Sequence, residues 1–120
     1  MPQYMFLIYG DENAFGAEPP PPEVWQEMLA QHQAFMAGVQ SGGGQILGGE
    51  ALGPTTAATT VRHQDGEVLL TDGPFAETKE TLGGYYLVEA VDLEQALAFA
   101  AKVPASGCVE VRPVVPTGGQ

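Results

Sequence analysis

Cysteine occurs once, at Cys108, which excludes an intrachain disulfide and a thiolate metal cluster; a buried thiol is the plain expectation for it. Basic residues are almost as scarce. Arg62, Lys79, Lys102 and Arg112 stand far apart and oppose fifteen acidic side chains, giving a net charge of -11. Such a surface repels DNA and anionic lipid, so neither nucleic acid nor a membrane is an expected partner. The two histidines, His32 and His63, are widely separated, and no His-x-x-x-His or paired-cysteine spacing exists to hold a metal. Also missing are a phosphate loop, a Gly-x-Gly-x-x-Gly turn and a serine nucleophile elbow, so no cofactor is expected. No apolar run approaches the roughly 20 residues of a membrane span, and no basic stretch opens a signal peptide. These absences predict a soluble, cytoplasmic protein.

What is present reads as one domain over residues 1–116 with a tail from 117 to 120. Tyr4 to Tyr9 is a short, aromatic-rich apolar run and predicts a strand buried on both faces. An acidic loop from Gly10 ends in four prolines, the last of which, Pro22, suits a first helical position. Val24, Trp25, Met28, Leu29, Phe35, Met36 and Val39 then mark one stripe of a long helix, stopped by Gly42-Gly43-Gly44. Gln45 to Leu52 reads as a strand with a bulge at Gly48-Gly49. Ala58 to Gln64 and Glu67 to Thr71 form a hairpin about Asp65-Gly66, a pair that tolerates the positive φ values of a type I′ turn. Gly84 to Ala90 is the next strand. Asp92 with Gln95 forms a capping box for a second helix with an inner stripe of Leu93, Ala96, Leu97 and Ala100, and Cys108 to Val115 is the last strand. This order predicts an α+β fold: a ferredoxin-like split βαβ with an inserted β-hairpin, an antiparallel sheet and two helices on one face. The uncovered face predicts a homodimer with sheets packed together.

Asp72 to Glu80, Asp-Gly-Pro-Phe-Ala-Glu-Thr-Lys-Glu, joins turn chemistry to carboxylates and a lysine. The usual local partner of the Asp72 side chain is the backbone N–H two residues on, but Pro74 has none, so the carboxylate is free to act elsewhere or to tie the loop together. His32 lies on the helix stripe one turn from Met28 and from Met36, and so faces the sheet or a cavity beside it. It is either a base tuned by a neighbouring carboxylate or a packed histidine satisfied by a carbonyl or a tyrosine. His32 and Asp72 are the candidate catalytic pair. Glu50, Lys79, Tyr85 and Tyr86 are candidate ligand contacts, with Lys79 suited to a substrate carboxylate if it turns inward. Glu77 and Glu80 flank that lysine as a solvated charged segment, and His63 is expected to face solvent.

Tyr-Met-Phe-Leu-Ile-Tyr-Gly-Asp at the start, Gly49-Glu50-Ala51-Leu52, Thr71 to Glu80, Leu82 to Tyr86 and Val109 to Pro113 together resemble the YCII-related family, in its DGPF subgroup. The resemblance implies a dimeric α/β barrel. It implies a relation to small isomerases of aromatic degradation, with a histidine on the first helix, here His32, working with an acidic partner. It also implies an association with extracytoplasmic-function sigma factors. Two functions follow as expectations. The first is a protein that binds a small cyclic or aromatic acid-like molecule and catalyses cofactor-free proton transfer of isomerase or lyase type. The alternative is a regulatory module that meets a sigma factor through its acidic surface.

Overall fold

The computed structural model describes residues 1–12, 20–76 and 78–117. The elements run β1 (Gln3–Gly10), α1 (Pro22–Ser41), β2 (Gln45–Ala51), a 3-10 turn (Thr55–Ala57), β3 (Thr59–Gln64), β4 (Glu67–Asp72), β5 (Thr81–Glu89), α2 (Leu93–Ala100) and β6 (Cys108–Pro113). Four strands form an antiparallel sheet in the order β2-β5-β1-β6. With α1 joining β1 to β2 and α2 joining β5 to β6, this is the ferredoxin-like α+β topology. Among the described residues no helix is long and apolar enough to cross a membrane. Most of the acidic loop before α1, Glu77 and the last three residues lie outside the described residues.

Side-chain alternation organises the core. The register aligns three rows on the helix-facing side of the sheet: Ile46, Val88, Tyr4 and Pro113; then Gly49, Tyr86, Phe6 and Val111; then Ala51, Gly84, Ile8 and Val109. Phe35 and Val39 from α1, and Ala96 and Phe99 from α2, close over the first two rows. The two helices therefore share one face. Strand β1 is not buried on both faces within the chain: Tyr4 and Phe6 are buried, whereas Met5, Leu7 and Tyr9 on the other side are only half-buried. The bulge in β2 falls between Ile46 and Gly48, so Leu47 is the extra residue.

The second helix differs from its sequence pattern. Asp92 Oδ1 accepts from the Gln95 N–H at 2.9 Å, as a capping box requires, and the Gln95 side chain accepts from Val91 N–H and donates to Gly42 O. Leu93 and Leu97, however, are about half exposed, at 49% and 50%. Phe99 takes the inner position because its ring fills the space left beside Gly42 and Gly44, where an added Cβ would fall 3.1 Å and 2.6 Å from it. A large aromatic side chain buries more area there than a leucine.

Strands β3 and β4 form a separate two-stranded sheet turned by Asp65 (φ 52°) and Gly66 (φ 79°). Its ladder sets Val61 opposite Leu70 and His63 opposite Val68, and all four are exposed. This hairpin hydrogen-bonds to none of the four main strands through its ladder, although isolated hairpins are marginal in water.

Candidate functional site

The third row of the sheet has small residues at its β2 and β5 positions, Ala51 and Gly84, where α1 continues outward. Ala51 and Gly84 offer little for the first turns of the helix to pack on, so only the second half of the α1 stripe reaches the core. Trp25, Met28 and Leu29 remain exposed at 48%, 37% and 46%. The space between them and the sheet is a cleft of about 520 Å³, within the range of small-molecule sites.

His32 and Tyr86 meet in this cleft. Nδ1 of His32 lies 2.6 Å from the Tyr86 hydroxyl, with the rings tilted by 38°. Tyr86 is held in turn by Phe35, whose ring centroid lies 5.0 Å away, and by Gly49 opposite it on β2. A Cβ at Gly49 would fall 2.6 Å from the Tyr86 ring and 2.9 Å from the Tyr85 carbonyl, so the tyrosine lies flat against bare backbone. Aromatic cover of a glycine on an edge strand is a familiar means of holding both in register.

Burial lowers the His32 pKa below its ordinary value and raises that of Tyr86. At neutral pH both groups are therefore uncharged, and one hydrogen bond joins them in either tautomer. When the tyrosine donates, Nε2 carries the ring proton. When Nδ1–H donates, Nε2 is a base and the Tyr86 hydroxyl proton is available to a third group.

Glu50 and Tyr85 are opposite one another across β2 and β5 and also line the cleft, although alternation places them on the other side of the pleat from Tyr86. Four of the six sequence-selected residues, His32, Glu50, Tyr85 and Tyr86, thus share one cavity. Asp72 and Lys79 do not line it. Asp72 is exposed opposite Thr59 at the base of the hairpin, where the following Gly73 (φ 94°) donates its N–H to Ala58 O at 2.7 Å and accepts from Thr60 Oγ1. The pairing of His32 with Asp72 is not made within the chain; His32 pairs with Tyr86. Asp72 ends β4, and the turn after it leads the chain out of a hairpin that is separate from the main sheet. Lys79 is exposed and Glu77 lies outside the described residues.

Cys108 is exposed, contrary to the expectation of a buried thiol, because it begins β6 at the sheet margin. Its Sγ lies 3.5 Å from Glu80 Oε2. Local desolvation, that hydrogen bond and the charges of Glu80 and Glu110 raise its pKa, which disfavours a reactive thiolate.

Sequence reasoning placed Trp25, Met28 and Leu29 on the stripe of α1 but did not identify them as the wall of a cleft. The available signal was Gly83-Gly84: glycine at a helix-facing position of β5 leaves those side chains without packing partners. It also missed Glu12, whose carboxylate lines the cleft and accepts from both the backbone N–H and the hydroxyl of Thr55. These bonds hold its pKa below the ordinary carboxylate value.

Against known proteins, a family model for the YCII-related domain matches residues 2–117. An uncharacterized protein of Rhizobium meliloti (strain 1021) is 38% identical over 117 residues, covering 92% of this chain and 90% of that protein.

Proposed function

The chain belongs to the YCII-related family, and from the geometry of its cleft we propose that it binds a small molecule between α1 and the sheet and moves a proton on it without a cofactor. The carrying observation is the 2.6 Å contact between His32 and Tyr86 in an open cleft. A histidine serving packing alone has no need of an adjoining cavity of about 520 Å³ flanked by exposed Trp25 and Leu29. In the active tautomer Nδ1–H donates to the Tyr86 oxygen. His32 Nε2 takes a proton from a carbon of the ligand, the Tyr86 O–H donates to the ligand oxygen that gains charge, and the imidazolium returns its proton at the same or another carbon. Return of the proton to carbon is isomerase chemistry; in the lyase variant a group on the adjacent carbon departs with its bonding electron pair and takes the proton from the imidazolium instead. Asp72 and Lys79 do not enter it within one chain, and the DGPF subgroup rests on the motif at Asp72 to Glu80.

The test is deuterium exchange into a library of small carbonyl compounds in D₂O, followed by mass spectrometry. Wild type should label at least one compound, His32→Asn should lose labelling, and Tyr86→Phe should slow it by about 10²-fold or more, as removal of one oxyanion donor does elsewhere. Labelling that survives His32→Asn refutes the reading.

A homodimer is the second element of the proposal, and the surface area favours it. The chain exposes 8463 Å², against about 6,200 Å² expected for a compact monomer of 12.6 kDa. That excess of roughly 2,300 Å² is more than twice the ~800 Å² each partner contributes to a standard interface. The exposed hairpin and the far face of the sheet are the surfaces to cover. Sedimentation velocity should give twice the chain mass, and a monomer at micromolar concentration removes this element. A sigma factor is the competing partner for these surfaces, and a stoichiometric, salt-sensitive complex with one would replace the homodimer.

A further inference from the structure

The cleft lining separates charge in a way the sequence does not reveal. All four basic side chains, Arg62, Lys79, Lys102 and Arg112, are absent from it. Among the described residues, its ionisable lining side chains apart from His32 and the tyrosines are Asp11, Glu12 and Glu50. Glu12 is fixed as an anion by the two hydrogen bonds from Thr55. Trp25, Met28 and Leu29 line the same cleft, an indole with polarizable and aliphatic neighbours, all exposed. A carboxylate ligand entering here meets like charges and finds no guanidinium or ammonium to pair with. Desolvating it without a partner is costly. Burial keeps His32 neutral, so it supplies no compensating positive charge.

We propose that the cleft selects an organic cation, an ammonium group carried on an aromatic or aliphatic body, in place of the acid-like ligand expected from the sequence. The apolar body lies against Trp25, Met28 and Leu29, and the ammonium faces the carboxylates, with the faces of Trp25 and the cleft tyrosines as further attraction. The protein's net charge of -11 adds long-range steering of the same sign. This inference rests on the cleft being a ligand site, as proposed above, and specifies the chemistry that it accepts.

Three probes of matched shape separate the possibilities: 2-phenylethylamine, 2-phenylethanol and phenylacetate, each titrated by thermal shift and by calorimetry. Trp25→Ala and Glu50→Gln are suitable variants because both side chains are exposed and neither change opens the core. The amine should bind best, the alcohol more weakly and phenylacetate not at all. Glu50→Gln should weaken the amine by about twofold to fivefold, the span of one partly screened ion pair, and leave the alcohol unchanged. Trp25→Ala should weaken both. Phenylacetate binding as well as the amine overturns the charge selection, and if its binding is lost in Trp25→Ala the cleft itself stands as the site. Amine binding unchanged in both variants overturns the inference as well, because attraction by the overall charge then accounts for it. Binding by none of the three overturns both the inference and the cleft reading.

Discussion

Gly48 and Gly49 are neighbours in one strand with opposite surroundings, so replacing each by alanine isolates the contact that holds Tyr86. Neither has a positive φ, and both changes should reduce the freedom of the unfolded chain equally. A Cβ at Gly48 meets nothing within 4 Å. Gly48→Ala should therefore be neutral or stabilising by up to about 1 kcal/mol. At Gly49 the same methyl group falls 2.6 Å from the Tyr86 ring and 2.9 Å from a backbone oxygen, and Tyr86 is itself buried against Phe35. The ring cannot yield without losing core contacts, so Gly49→Ala should cost about 1–3 kcal/mol, the usual range for overpacking. For a domain of this size that lowers Tm by roughly 4–12 °C. A second readout ties the loss to the site. As the Tyr86 ring shifts, its hydroxyl leaves His32 Nδ1, and the imidazole resonances followed by NMR should change in Gly49→Ala and stay in place in Gly48→Ala. Equal stability of the two variants, or an unchanged His32 spectrum in Gly49→Ala, would refute the account of how the tyrosine is positioned.

Burial lowers the His32 pKa below the unfolded value near 6.5, so the unfolded chain takes up the proton first as pH falls. The associated stability is complete above 6.5 and declines below it until the folded-state pKa is passed; the difference in unfolding free energy between wild type and His32→Asn, measured at a series of pH values, should carry this slope, and a flat difference contradicts it. Asp92→Ala removes the helix cap to Gln95 and should cost about 1 kcal/mol, read by urea denaturation at pH 7. Leu70→Ser, at a position 70% exposed on the hairpin, should leave monomer stability within about 0.5 kcal/mol yet weaken self-association in sedimentation equilibrium; no change in the association constant would remove the hairpin from the interface.

The difference between what was readable and what was not follows from the range of the physics involved. Strand order and helix caps were legible because alternation, glycine stops and the Asp92–Gln95 box act over a few residues. His32 was legible for the same reason, since its place on the α1 stripe fixed the side it faces. The choice between Tyr85 and Tyr86 needed the pairing of β5 with β1 and β2, because adjacent strand residues point to opposite faces whatever their chemistry. Phe99 displaced Leu93 and Leu97 from the inner face because distant Gly42 and Gly44 made room for a ring. Asp72 shows the limit most clearly. Its local chemistry points to a carboxylate denied its usual N–H partner, but reactivity depends on where the turn delivers that group. The register of the hairpin pairs it with Thr59 at the hairpin base, outside the lining of the cleft that holds His32. Motif chemistry can therefore nominate a group, while the sheet register decides whether it has a partner. By that reasoning the substitution that converts Tyr86 to phenylalanine should affect His32 far more than one that converts Asp72 to asparagine. Measuring the His32 pKa in both variants sets the register against the motif directly, and a larger shift in Asp72→Asn would restore the acid–base pair that the motif suggested.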